Sequence, residues 1–143
     1  MLFSRPAEYA IRAMTFLARQ PAGKLAGARQ IAQAEQIPRP FLWKILRDLT
    51  RRKLIRSFKG LRGGYELARP PQQITLAAIL AATGDGDLLA DCVLGLPQCG
   101  EENPCPLHDT WKPIRRWLVA MLEQNNLADL ARAARRRVRR KRR

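Results

Sequence analysis

Apolar residues recur at Ala10, Ala13, Met14 and Leu17, so residues 7–19 carry the i, i+3, i+4, i+7 stripe of an amphipathic helix. Pro6 suits a helix start, and Pro21-Ala22-Gly23 breaks the pattern. Residues 28–35 predict a short helix and Gln36-Ile37-Pro38 a tight connection. Residues 39–52 predict a second helix, with Leu42, Ile45, Leu46 and Leu49 on one face. The period then turns strand-like. Leu54–Phe58 and Tyr65–Ala68 flank the glycine-rich stretch Lys59–Gly64, which predicts a β-hairpin. Ile74–Leu80 reads as a helix capped near Thr75 and stopped by Gly84-Asp85-Gly86-Asp87. A long helix is predicted from Asp109 to Glu123 on the spacing of Ile114, Trp117, Leu118, Met121 and Leu122, and a last helical segment begins at Leu127.

Two short helices joined by a tight connection and followed by a hairpin make a winged helix. The predicted fold class is mainly α with a small β-hairpin wing: a winged helix-turn-helix plus a long C-terminal dimerisation helix. The chain divides into a winged helix-turn-helix DNA-binding domain over 1–83, a cysteine-rich loop over 84–108, a dimerisation helix over 109–131 and a basic, disordered tail over 132–143. The apolar stripe of the long helix has little core of its own subunit left to cover. A second copy of the chain is a natural way to bury it, since two-fold dimers are the commonest assembly; packing within the subunit is the plainer reading. Trp111 and Trp117 read as core or dimer contacts.

Charge sharpens this picture. The 143 residues carry a net charge of +15, which points to a polyanion such as double-stranded DNA. Opposite the leucine stripe, the second helix presents Arg39, Trp43, Lys44, Arg47 and Arg51, and the hairpin tip adds Lys59 and Arg62. A reading helix in the major groove with a basic wing tip in the minor groove fits that layout. The plainer reading is a solvated surface helix with solvated turn charges. No apolar run approaches the ~18–20 residues of a membrane span, and the N-terminus lacks a signal-peptide core, so the expectation is a cytoplasmic protein without a membrane partner.

All the candidate chemistry sits in one window. Cys92, Cys99 and Cys105 are the chain's only cysteines, and its only histidine, His108, follows three residues after the last of them. Thiolates and imidazole are ligands for iron–sulfur clusters and for zinc. A disulfide framework is disfavoured in a reducing compartment, and three cysteines leave one unpaired. The close C-x2-C pairs of zinc ribbons are missing, but a closed zinc site of three thiolates and one imidazole remains an alternative. A Cys105–His108 dyad is the single catalytic arrangement on offer, no carboxylate pair has catalytic spacing, and the expectation is no enzyme. A compaction protein driven by the arginine-rich tail is a further alternative, which predicts binding without sequence preference.

The opening S-R-P-A-E-Y-A-I-R-A-M, the wing K-G-L-R-G-G-Y-E-L, the segment I-T-L-A-A-I and the three spaced cysteines resemble the Rrf-two family of bacterial transcription regulators over roughly residues 1–130. The resemblance implies a dimer of winged-helix subunits joined by a long C-terminal helix. It also implies an iron–sulfur cluster on Cys92, Cys99 and Cys105 that reports iron–sulfur, redox or nitric-oxide status. In IscR-like members a histidine shortly after the third cysteine completes a two-iron cluster, and His108 matches it. In NsrR-like members an acidic residue near the partner's N-terminus completes a four-iron cluster, and Glu8 matches it by type. Two departures stand out. Six residues separate Cys92 from Cys99 where IscR-like proteins have five, and Trp43-Lys44 replaces a glutamate–glutamine pair in the reading helix, which implies a different target sequence. Members that regulate cysteine metabolism lack these cysteines and act through a protein partner, so the same fold with zinc or no metal is the competing reading.

Overall fold

A computed structural model describes residues 3–86, 90–97 and 99–141, the last four by backbone alone. Asp87 of the predicted helix stop and Arg142 and Arg143 of the tail lie outside the described residues. Helix α1 (Arg5–Arg19) begins two residues earlier than its apolar stripe because Ser4 caps it, its hydroxyl accepting from the Ala7 N–H. The Ser4 N–H donates to Asp85 at 2.9 Å, which ties the start of α1 to the segment that ends the fourth helix. The buried face of α1 is built from Ala7, Ala10, Ala13, Met14, Phe16 and Leu17. The three alanines let neighbouring helices approach closely.

Helix α2 (Ala28–Glu35) ends in a left-handed residue, Gln36, at φ 51°. That conformation is uncommon for a side-chain-bearing residue. Here it turns the chain so that Ile37 is buried and its N–H reaches the Ala32 carbonyl. Helix α3 (Arg39–Arg51) follows at once, with Pro40 in its first turn and Leu42, Ile45, Leu46 and Leu49 buried. Strands β1 (Ile55–Phe58) and β2 (Gly64–Leu67) pair antiparallel, Ile55 opposite Leu67 and Phe58 opposite Gly64. Ala26 adds a rung on the other side of β2 by exchanging two backbone hydrogen bonds with Tyr65. That rung explains Gly64, where a Cβ would lie 2.9 Å from the Ala26 carbonyl oxygen, and the hairpin turn explains Gly63, where a Cβ would lie 2.1 Å from the Phe58 carbonyl oxygen.

Thr75 caps α4 (Leu76–Ala82) by accepting from the Ala78 N–H. Helix α5 (His108–Gln124) lies against α4 through Leu118 and Leu122, which join Ala7 and Leu80 in a second buried cluster. The stretch 109–131, divided off as one dimerisation helix, holds two helices, and the break falls where the periodicity separates 109–123 from the segment beginning at Leu127. Asn125 is extended, and α6 (Leu127–Lys141) restarts behind a reciprocal cap in which the Asn126 and Asp129 side chains each accept from the other's N–H. The break is locked to the head by Leu76 N–H to the Asn125 carbonyl and Leu127 N–H to the Ile74 carbonyl.

The tail is the second correction. Residues 132–141, expected to be disordered, continue α6 as helix. Leu127 and Ala131 anchor this helix in the head core, Asp129 pairs with Arg132 at 3.3 Å, and Arg135 donates to the Arg19 carbonyl. Alanine and arginine are strong helix formers, so a helix nucleated on α1 propagates into the basic run.

Candidate nucleic-acid interface and metal centre

Helix α3 buries its leucine face, so its opposite face is presented to solvent. Arg39, Trp43, Lys44 and Arg47 are all exposed. Between α3 and the wing lies an open groove of about 670 Å³ lined by Pro40, Trp43, Lys44, Arg47, Thr50, Arg51, Ser57 and Tyr65. Of the predicted contacts, the groove gathers Trp43, Lys44 and Arg47. Arg39 stands outside it, and Lys59 and Arg62 are exposed at the hairpin tip beside a fully exposed Leu61. Trp43 is 59% exposed, which leaves its ring free to meet a ligand.

Thr50, Ser57 and Tyr65 are the groove residues that sequence reasoning missed. Thr50 follows Trp43 by seven positions, two turns along the same helix face. Ser57 and Tyr65 are cross-strand partners, so the hairpin register would have revealed them together.

The second site is the stretch between α4 and α5, which holds all three cysteines. Cys92 is buried, Cys99 and Cys105 are half-buried, and all three are free thiols. The backbone N–H groups of Leu94 and Leu96 face the Cys92 sulfur and hold its thiol below the ordinary range, with Cys105 and Cys99 adding smaller contributions in the same direction. Burial pushes the Cys105 thiol up, partly offset by the Leu107 N–H. N–H groups aimed at sulfur are the kind of contact that tunes a thiolate-held cluster.

His108 opens α5, where its N–H donates to the Cys105 carbonyl. It is only 4% exposed, its Nδ1 lies 3.9 Å from the Cys99 sulfur, and its Nε2 has no hydrogen-bond partner among the described residues. A buried polar atom without a partner is costly, so this ring nitrogen calls for a group within reach that can satisfy it. Glu101, whose carboxylate contacts Lys112, lies 3.7 Å from that Nε2. Lys112 is also the main reason the Glu101 carboxyl is held below its usual range.

The structure thus brings Cys92, Cys99, Cys105 and His108 into one neighbourhood. No three donors among the described residues converge as a single metal ion requires. Glu8 lies elsewhere, in the first turn of α1, with its carboxylate 3.8 Å from Arg5.

The family Rrf2, described as an iron-dependent transcriptional regulator, matches residues 3–133. The chain belongs to the Rrf2 family. Among its relatives is the HTH-type transcriptional regulator NsrR of Halalkalibacterium halodurans, 32% identical over 86% of this chain and 85% of that one. Among solved structures, CymR, the global cysteine regulator of B. subtilis, superposes with a TM-score of 0.79 at 23% identity over 92% of this chain and 96% of its own. IscR of T. potens superposes with a TM-score of 0.72 at 23% identity over 92% and 86%. The winged-helix fold expected from the hairpin and α2–α3 is the fold of this Rrf2 protein, and its function is transcriptional regulation rather than catalysis. No described helix is long and apolar enough to cross a membrane.

Proposed function

We propose that this Rrf2 regulator binds duplex DNA as a homodimer. Its grip answers to an iron–sulfur cluster held by Cys92, Cys99 and Cys105, with His108 as fourth ligand. The observation that carries the reading is the chain's only histidine, buried, with its Nδ1 3.9 Å from the Cys99 sulfur. The donor set fits the group: three soft sulfur donors, one of them favoured as thiolate by two backbone N–H groups, and an imidazole. When bound, the cluster supplies reactivity toward oxygen, nitric oxide or iron loss. The chain's own residues do the rest. Arg115 donates to the Ala90 carbonyl, so α5 is fastened to both ends of the loop, here and through His108. Ordering or release of the loop therefore acts on α5.

On α5, Leu118 and Leu122 are used within the subunit, while Ile114 and Trp117 remain exposed one turn apart, Trp117 at 66%. These two are the contact offered to a second copy. DNA half-sites repeat at about 34–36 Å, so a dimer whose α5 pair shifts changes the fit of two α3 helices to successive major grooves. Lys44, Arg47, Lys59 and Arg62 contact phosphate and groove, and Trp43 covers sugar or a thymine methyl.

The test is an absorption and electron-paramagnetic spectrum of anaerobically isolated protein. A brown, iron-containing protein whose visible absorption is abolished by Cys99→Ala is expected. A colourless protein holding zinc, or no metal, that still binds its operator sinks the cluster reading and leaves a DNA-binding regulator of the same fold. The likeness to NsrR sustains one second reading, a four-iron cluster completed by the partner's copy of Glu8. Loss of the cluster in Glu8→Ala but not in His108→Ala would select it.

A further inference from the structure

We infer that Glu101, clamped by Lys112, is the positioning residue that fixes His108 as an Nδ1 ligand with its Nε2 protonated. This inference rests on the site proposed above. His108 and Lys112 are one turn apart on α5, so the same helix face carries the imidazole and the ammonium. Glu101 comes from the loop and is held between them, one carboxylate oxygen contacting Lys112 Nζ and the other lying 3.7 Å from His108 Nε2.

A neutral imidazole has one N–H donor and one lone pair. A carboxylate can only accept, so the nitrogen that faces it must carry the hydrogen. That leaves the lone pair on Nδ1, the nitrogen that faces the Cys99 sulfur at 3.9 Å. Glu101 selects the tautomer, and the selected lone pair points toward the Cys99 sulfur. Closing the 3.7 Å gap would satisfy the one buried nitrogen of His108 that has no partner. A carboxylate on the far nitrogen of a metal-bound histidine fixes its tautomer, and loss of such a partner weakens binding by on the order of 10- to 100-fold.

The chain's single histidine makes the test direct, since selective 15N labelling gives one imidazole. In the reduced, metal-free protein, two-bond 1H–15N spectra should show the Nε2–H tautomer. Glu101→Ala should convert it to a mixture, and Glu101→Gln, which keeps an acceptor oxygen, should restore it in part. In the anaerobically loaded protein, hyperfine spectra with the label at Nδ1 or Nε2 should place the strong coupling at Nδ1. Decay of the visible spectrum in chelator should be faster in Glu101→Ala by on the order of 10- to 100-fold. Glu101 is largely exposed, so an unchanged thermal melt is expected of both variants. Strong coupling at Nε2, or a Glu101→Ala protein with wild-type tautomer and wild-type decay, overturns the inference while leaving the cluster in place. A wild-type protein that takes up no cluster instead overturns the site reading on which it rests.

Discussion

The DNA-binding head and the cysteine loop are built on opposite principles. In the head, Met14, Ile31, Leu42, Leu46, Leu49, Ile55, Ile74, Ile79 and Leu127 are fully buried, and elements far apart in sequence meet around them. In the loop, Val93, Leu94, Leu96 and Leu107 are exposed, and the described residues hold only short turns, such as Gly95 N–H to the Cys92 carbonyl. Hydrophobic burial fixes the first region whatever it binds. The second region has donors where the first has a core, so under the proposed cluster reading its order depends on what those donors hold. The proposed sensor would use this division: a rigid reader joined to a segment whose order can be changed.

The sharpest way to break the comparison is a pair of truncations. Leu46→Ala should lower the unfolding free energy by about 2–5 kcal/mol, read from urea denaturation, because its cavity is enclosed on all sides. Cys99→Ala in the metal-free protein should change it by no more than about 0.5 kcal/mol. If the two losses are equal, the loop belongs to the cooperative core and the distinction fails. A smaller effect, about 1–3 kcal/mol, is expected for Gly64→Ala, since its new Cβ would press on the Ala26 backbone and open the rung that fixes the wing. DNA affinity should fall with it, because β2 carries Tyr65 of the groove.

How much of this was legible follows the same division. The head could be read because burial leaves a periodic trace: the stripe on α3 and the glycines of the wing predicted both its inner face and its groove face. Thr50, Ser57 and Tyr65 carry no charge to mark them, so only the helix period from Trp43 and the hairpin register place them in the groove. In the loop, the residue types pointed to metal chemistry, yet no pattern foretold that Glu101 would stand between His108 and Lys112, a contact made by folding alone. The break at Asn125-Asn126 was legible as the gap between a stripe ending at Glu123 and a segment beginning at Leu127, and Asn-x-x-Asp supplies its capping signal. The basic run was misjudged for a physical reason. Charge repulsion argues for disorder, but Leu127 and Ala131 had already set the helix on the head.

Thr75→Ala comes next in size, at about 1 kcal/mol, the usual cost of an N-cap. Its hydroxyl caps α4 while its backbone neighbours bridge to Asn125 and Leu127, so the loss should appear in thermal melts of the head and leave any cluster spectrum unchanged. A changed spectrum would mean that α4 transmits strain to the loop without any ligand event.

The smallest effect on stability and the most direct test of the groove is Lys44→Ala. Lys44 is exposed on α3, so its removal should move stability by no more than about 0.5 kcal/mol. On DNA the same change removes one phosphate contact per subunit. Each contact contributes about −0.9 to the slope of log affinity against log salt, so a dimer should lose about 1.8 from that slope. Arg51 lines the same groove but already pairs with Asp48 at 3.8 Å, so Arg51→Ala should change the slope less. A slope unmoved by Lys44→Ala would place the duplex on another basic surface, with α6 and its arginines the first to test, and the groove between α3 and the wing would no longer be the reading face.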